Sequence, residues 1–559
     1  MGTASTKSRA RKKKQQPRKE SREESRLPGG HGSQPGSFRH EDTRAGEFPS
    51  WLWPGASLLI LLAAGFLRLY GYWLKPFHHD EGVNGFFLTR LVREHVYHYD
   101  PSNYHGPTLY YFSLLTSLLF GLNDFAVRLV PAIFGVATVW LMLRLRRYIG
   151  TIGALTAAAL IAVSPCAVFY SRYFIHESLF VFFSVAMVLA ALRYYETVNP
   201  IYLMLLSVSA AMLFATKETA MITAAVFIIA LVSAEVYQRM RGTRGGKARG
   251  SKKKQKRFAG QAEPKRGIEA TLARFGDASY LFWLTLSAVV LFILVHILFY
   301  SSFFTYAKGL SDSLATFKIW VRTGTSEFHA KPWSAYLEWL WQEEAALLLV
   351  GIAGVLAASW RATNRFALFA ALWTIGIIAA YSLVPYKTPW LVLNFIPPLA
   401  IMAGYAVNTL YYAGTGNSTR VPAVALAFAL LCFGAYQTVT LNFYHYDDES
   451  YPYVYAHTQR GYLTLIDEIN RASQRAGTGE RTTISIASPD YWPMPWYLRD
   501  YKGVAYPGRV GAHTEQIVVC NNSQEAECQA ALGQRYRRMG AYPLRSGIML
   551  TLYLRNDVP

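Results

Sequence analysis

The placement of ionisable residues constrains this chain more than any other feature. Long apolar runs are separated by short polar knots: His78-His79-Asp80-Glu81, Tyr104-His105-Gly106-Pro107, Arg172 through Glu177, Lys217-Glu218 and Tyr386-Lys387-Thr388. A run of about 20 mostly apolar residues spans a bilayer. Such runs fall near 53–72, 125–143, 151–170, 178–195, 201–216, 219–237, 280–300, 345–360, 366–384, 391–412 and 421–441. They predict an α-helical polytopic membrane protein of about eleven spans. The stretch 110–122 is too short to cross and predicts a helix on the membrane surface.

Charged residues make up only 16% of the chain, where a soluble domain carries about 25%. They are also concentrated. Residues 1–50 hold 12 Lys/Arg against 6 Asp/Glu, and residues 238–277 hold 13 against 3, so these two segments carry 16 of the net +21. Both are low in apolar residues and are expected to be disordered and cytoplasmic. Basic segments beside apolar spans set topology, with anionic-lipid contact as a secondary role, so no nucleic-acid partner is expected. With residues 1–50 inside, Arg144 to Arg147, 238–277, Arg361 to Arg365 and the loop ending at Arg420 all fall inside too. Every polar knot then falls on the outer face of a cell membrane. The first apolar run follows the polar residues 1–50 and is long enough to span, which predicts an anchor rather than a cleaved leader.

Residues 51–441 are expected to form the membrane domain, and residues 442–559 a small extracytoplasmic α/β domain. In the latter, 458–475 has the pattern of an amphipathic helix. The stretches 482–487, 516–520 and 548–554 have the β-branched content of strands. Between them lies an aromatic, proline-rich cluster, Tyr491-Trp492-Pro493-Met494-Pro495-Trp496-Tyr497, expected to pack on the membrane surface. Cys520 and Cys528 have a spacing that permits pairing; Cys166 and Cys432 lie in apolar runs and read as core residues.

Ionisable groups beside hydrocarbon are costly and default to a functional reading. Asp80 is the favoured general base toward a hydroxyl, with Glu81 second. His79, Tyr104, His105, His176, Glu177 and Glu218 are candidate substrate-binding groups around them. The Gly106-Pro107 bend is expected to bring His105 near the base. Arg172 and His176 are four residues apart, which is one face if that segment is helical. Arg172, Lys217 and Lys387 are candidate holders of a phosphate. His105 and Glu177 are the candidates for a divalent metal, although their spacing matches no ligand pattern. The sequence carries no Walker loop and no dinucleotide fingerprint.

Taken in this order, the acidic pair in the first outer loop, the bend followed by Tyr110-Tyr111, Lys217-Glu218 between short spans and the outer C-terminal domain resemble the GT-C superfamily of membrane glycosyltransferases. Protein O-mannosyltransferases and lipid A aminoarabinose transferases belong to that group. Phe77 to Gly82, Tyr104 to Pro107, Arg172 to Glu177 and the Trp-Pro-Met-Pro-Trp-Tyr-Leu stretch look most like the flippase-activity-associated glycosyltransferase-like family. The resemblance covers residues 53–554 apart from the basic loop. It implies a polyprenyl-phosphate-linked sugar as donor, and a glycan, lipid or protein hydroxyl as acceptor. It further implies inversion at the anomeric carbon, with Asp80 or Glu81 as base. Where the aminoarabinose type has Glu-Lys-Pro at the bend, this chain has His105-Gly106-Pro107, so no metal or lysine contact transfers there. The competing reading is a non-catalytic component of a lipid-linked oligosaccharide flippase. A transporter is expected to carry polar residues at mid-span and broken helices.

Overall fold

The computed structural model describes residue 2 and residues 49–103, 105–246, 274–324, 330–414 and 416–559. Tyr104 and most of the two basic segments lie outside the described residues.

The apolar runs fold into helices α1 (Leu52–Leu69), α4 (Asp124–Arg144), α5 (Thr151–Ala162), α6 (Pro165–Ser171), α7 (Glu177–Thr197), α8 (Pro200–Phe214), α9 (Ala220–Gly246), α10 (Ala278–Tyr300), α12 (Ala335–Arg361), α13 (Arg365–Leu383), α14 (Ile396–Tyr411) and α15 (Asn417–Val439). Between them lie α2 (His79–Glu94), α3 (Thr108–Phe120) and the amphipathic α11 (Lys308–Gly324). Among the described residues nine helices are long and apolar enough to cross a membrane. The pair α5 and α6, bent by 54°, passes the same test together and makes a tenth if it is one span. The protein is a multi-pass membrane protein. The eleventh expected span, near 201–216, is the shorter apolar helix α8, which starts at Pro200, where the Asn199 side chain accepts from the Ile201 amide. Helix α9 continues to Gly246, past the expected start of the basic loop at 238.

The break between α5 and α6 is closed by side chains from other helices. The last carbonyls of α5, on Ile161 and Ala162, accept hydrogen bonds from the Arg68 guanidinium on α1 at 3.1 and 3.2 Å. At the start of α6, the Ser164 hydroxyl and the Cys166 amide donate to Glu344 Oε1 at 2.5 and 3.0 Å. Glu344 itself sits at a kink inside α12. Orphaned backbone groups in a bilayer must be satisfied internally, so this break needs side-chain partners. The helix expected from 345 therefore begins ten residues earlier, at Ala335, with Glu344 as its hinge.

Beyond α15 the chain forms a separate layer. It contains α16 (Tyr462–Arg475), α17 (Met494–Tyr497), α18 (Glu525–Leu532) and strands β1 (Thr483–Ile486), β2 (Gly503–Ala505), β3 (Ile517–Asn521), β4 (Tyr536–Arg545) and β5 (Ile548–Arg555). The sheet order is β2-β1-β3-β5-β4. The first three strands are parallel, and β5 and β4 are antiparallel to their neighbours. Tyr462, Leu465, Ile466, Ile469 and Ala472 line one side of α16 and are buried with Ile484, Ile486, Val519 and Leu552. Full burial of each large apolar side chain contributes about 1.5–3 kcal/mol. Strands β2 and β4 escaped sequence reading because one is three residues long and the other, Tyr-Arg-Arg-Met-Gly-Ala-Tyr-Pro-Leu-Arg, is a polar edge strand. Cys520 and Cys528 form a disulfide joining β3 to α18.

Candidate active site

The site is built on the first turn of α2. His78 caps it: its Nδ1 accepts from the Asp80 amide at 3.2 Å, and Glu81 accepts from the His78 amide at 2.9 Å. That capping box leaves His79, Asp80 and Glu81 on three different bearings. Glu81 is fully buried. Its two oxygens accept from Arg128 Nε and Nη2, both at 2.7 Å, and from the Phe174 amide at 2.8 Å. Arg128 also donates to the carbonyls of Tyr72, Lys75 and Pro76. Glu81 thus binds α2, α4 and the 172–176 connection together and faces no open space.

Asp80 points the other way, half-buried, into a cavity of about 640 Å³. His79 Nδ1 lies 3.1 Å from Asp80 Oδ1. Burial pushes the Asp80 carboxyl up. The hydrogen bond from His79 and the neighbouring His78, His79 and His105 rings outweigh it and hold the group well below the usual carboxylate range. The N-terminal field of α2 acts in the same direction. Asp80 is a carboxylate at any physiological pH.

The opposite wall comes from the Gly106-Pro107 bend. Gly106 lies so close to the Ala215 carbonyl that a Cβ would collide with it, and the Gly106 amide donates to Thr216 at 3.1 Å. Only glycine permits this approach, and it brings His105 Nδ1 to 3.1 Å from Glu218 Oε2. His176 Nε2 bonds the Gly106 carbonyl at 3.1 Å. Burial, with His105 and Lys217 nearby, holds the His176 ring neutral. Lys217 Nζ lies 2.5 Å from Glu177 Oε1. Burial lowers the Lys217 pKa, but Glu177 and Glu218 raise it further, so the ammonium stays charged.

Of the residues expected from the sequence, His79, Asp80, His105, His176, Glu177, Lys217 and Glu218 line this cavity together. Glu81, Arg172 and Lys387 do not. The segment after α6 is a turn, not a helix, so Arg172 and His176 share no face. Arg172 instead donates to the carbonyls of Leu67, Tyr70 and Gly71 at the end of α1. Lys387 is buried, with its ammonium on the carbonyls of Lys331 and Val384. Among the described residues no three His, Cys, Asp or Glu side chains converge to hold a metal ion. His105 is joined to Glu218 and Glu177 to Lys217, so the donors first considered for one are directed at other partners.

The C-terminal layer completes the cavity, which sequence reading did not anticipate. Tyr455, Asp490 and Arg545 line it, with Trp390 and Tyr386 from the 384–395 hairpin and Trp320 from α11. The aromatic cluster packs on α2 and holds it. Pro493 lies where a Cβ on Gly82 would be, within 2.6 Å. Trp496 stacks on Phe77 at 4.8 Å and donates to Asp124. The Trp492 ring sits edge-on to His79 at 6.0 Å.

Residues 104–247 match the family described as dolichyl-phosphate-mannose-protein mannosyltransferase. Over 139 residues the chain is 32% identical to a putative mannosyltransferase, YycA, of Bacillus subtilis (strain 168). That match covers 23% of this chain and 20% of the relative, so the chain spans about a fifth of that protein. The structure of ArnT from Cupriavidus metallidurans in the apo state superposes with a TM-score of 0.59 at 12% identity, covering 89% of this chain and 97% of ArnT. ArnT bound to undecaprenyl phosphate superposes at 0.53 with 14% identity, over 90% of this chain and 97% of that one. The chain shares its fold with ArnT. The matched segment begins in the His105 bend and ends with α9, so it contains the Lys217-Glu218 turn.

Proposed function

We propose that the chain is a membrane glycosyltransferase. It moves a sugar from a polyprenyl-phosphate donor to an acceptor hydroxyl on the extracytoplasmic side. The observation that carries this reading is Asp80: a carboxylate kept charged at a helix N-terminus, open to a cavity where the membrane bundle meets the C-terminal layer. The mannosyltransferase description of the matched family and the lipid phosphate bound by ArnT support it.

In the proposed reaction the acceptor oxygen attacks the anomeric carbon. The bond from that carbon to the phosphate oxygen breaks, and the electron pair leaves with the polyprenyl phosphate. The acceptor proton passes to Asp80, and the configuration inverts. Lys217, the cation beside the Gly106-Pro107 bend, meets the charge developing on the leaving phosphate. His105 and His176 line the same wall.

Residues 1–50 and the basic loop are read as cytoplasmic and the layer from 442 as extracytoplasmic, in a cell membrane. The basic loops fall on one side under this arrangement, and the Cys520 to Cys528 disulfide suits an oxidising compartment.

The test is transfer in detergent with undecaprenyl-phosphate mannose, following release of undecaprenyl phosphate. The wild type releases it, and Lys217→Met loses binding of undecaprenyl phosphate while keeping undecaprenol. Equal loss of both ligands would remove Lys217 from the site. A donor that the wild type leaves intact, whatever its sugar, would overturn the reading.

A further inference from the structure

The polarity of the cavity assigns its outer end. A polyprenyl tail keeps the donor phosphate at the bilayer surface, beside the helix ends that carry Lys217. The acceptor then approaches from the side away from the membrane, which is the side closed by the C-terminal layer. This inference rests on the proposed transferase reading.

That layer presents a particular edge to the cavity. Strands β1, β2 and β3 are parallel in the order β2-β1-β3, so the chain leaving β1 turns toward β2 while β3 lies on its other side. In open α/β sheets ligands bind outside the carboxyl ends of the strands at such a divergence. Asp490 follows β1 by four residues and stands there. Its Oδ2 accepts from Asn521 at the end of β3 at 3.1 Å, and its Oδ1 from Arg545 Nη2 at 2.9 Å. The Ser488 hydroxyl fixes the loop, accepting from the Asp490 amide and donating to the Asp490 carbonyl. The pair is held from behind yet stays open in front: Asp490 is 36% exposed and Arg545 17%, and both line the cavity.

We propose that Asp490 and Arg545 form the acceptor subsite, and that the acceptor is a saccharide. A carboxylate beside a guanidinium offers acceptors and donors side by side, which matches two neighbouring hydroxyls on one ring. Tyr455 and Trp390 line the same space and provide flat apolar faces for the ring. The cavity is of small-molecule size, whereas a peptide acceptor would need an extended groove.

The experiment uses the full chain with undecaprenyl-phosphate mannose and two acceptor probes: methyl α-mannoside and a serine- and threonine-containing peptide. Transfer to each probe is compared with release of free mannose, the product when water replaces the acceptor. For Asp490→Asn and Arg545→Lys, the ratio of transfer to hydrolysis is expected to fall about tenfold or more through a raised KM for the saccharide, the usual weight of a hydrogen bond to a charged group. An unchanged ratio in both variants, or transfer by the wild type to the peptide and not to the mannoside, overturns the proposal. A parallel loss of transfer and hydrolysis, with lower thermal stability, assigns the pair to packing and overturns it as well. If the wild type neither transfers nor hydrolyses any polyprenyl-phosphate sugar, the transferase reading fails instead. Saturation-transfer NMR of methyl α-mannoside then decides the subsite: binding by the wild type that weakens in both variants supports it, and no binding sinks it.

Discussion

Asp80 and Glu81 are adjacent, chemically alike and equally visible in the sequence, and the fold gives them opposite surroundings. Glu81 faces inward and is fully buried against Arg128 and two backbone amides. Asp80 faces the cavity with one histidine as partner and part of its surface open. Successive residues in a helix point about 100° apart, so one step along the first turn of α2 separates a bracing acid from the acid proposed as the base. Neighbours, not residue type, divide the two roles.

The sharpest way to break this contrast is to neutralise each acid in turn. Asp80→Asn keeps size and polarity but cannot take a proton, so turnover should fall by about 10²–10⁴-fold, the usual weight of general base catalysis. Thermal stability and donor binding should stay near wild type. Glu81→Gln leaves Arg128 buried without its counter-charge, and breaking a buried pair this way costs about 3–5 kcal/mol. Its signature is a lower melting temperature and poor expression. Whatever fraction folds should keep most of its turnover per molecule. A stable, inactive Glu81→Gln with an active Asp80→Asn would exchange the two assignments.

Acidity sharpens the contrast further. The folded pKa of Asp80 is depressed, so any stability it lends is fully present above its ordinary unfolded value and is lost as pH falls through the folded value. By the same sign, the acid limb of kcat/KM, which reports the free protein, should lie below the ordinary carboxylate range. An anionic phosphate entering the cavity opposes ionisation and should raise the pKa in the complex, so the acid limb of kcat should lie higher. His79→Phe removes the hydrogen bond that, together with the neighbouring histidines, offsets burial, and should move the kcat/KM limb upward. A limb that stays in place would remove His79 as the partner that sets Asp80.

The spans were legible because hydropathy reports them one segment at a time. That most of the polar knots gather around one cavity was legible in the same way. The partnering was not. Arg172 and Lys387 looked like free outer cations, but α1 and the 384–395 hairpin end there with unpaired carbonyls, and a buried cation goes to them. No local pattern announces that need, because the carbonyls lie more than a hundred residues away in one case. Asp490 and Arg545 were missed for a related reason. They meet only when the ends of β1, β3 and β4 assemble, and neither sits in an apolar run that would make its charge conspicuous. The aromatic cluster was conspicuous, but its target, the glycine face of α2, is set by tertiary packing.

The smallest expected effect probes that last contact. Trp492 lies edge-on to His79, which in turn holds Asp80, so under the proposed mechanism Trp492 is a positioning residue that acts on the base through the histidine. An aromatic pair of this geometry contributes about 0.5–1.5 kcal/mol, which corresponds to roughly a two- to twelvefold change in an equilibrium or rate. Trp492→Leu keeps apolar bulk beside Gly82 and removes the ring edge. It should lower kcat by that modest factor and leave the donor KM unchanged. It should also shift the acid limb of kcat/KM in the same direction as His79→Phe, by less. A merely structural role would lower the melting temperature and the amount of active protein without moving the limb. Adding Trp492→Leu to His79→Phe should then cost little more than His79→Phe alone, since both act through one hydrogen bond. Additive losses in the double variant would show that the C-terminal layer acts on the site by some route other than His79.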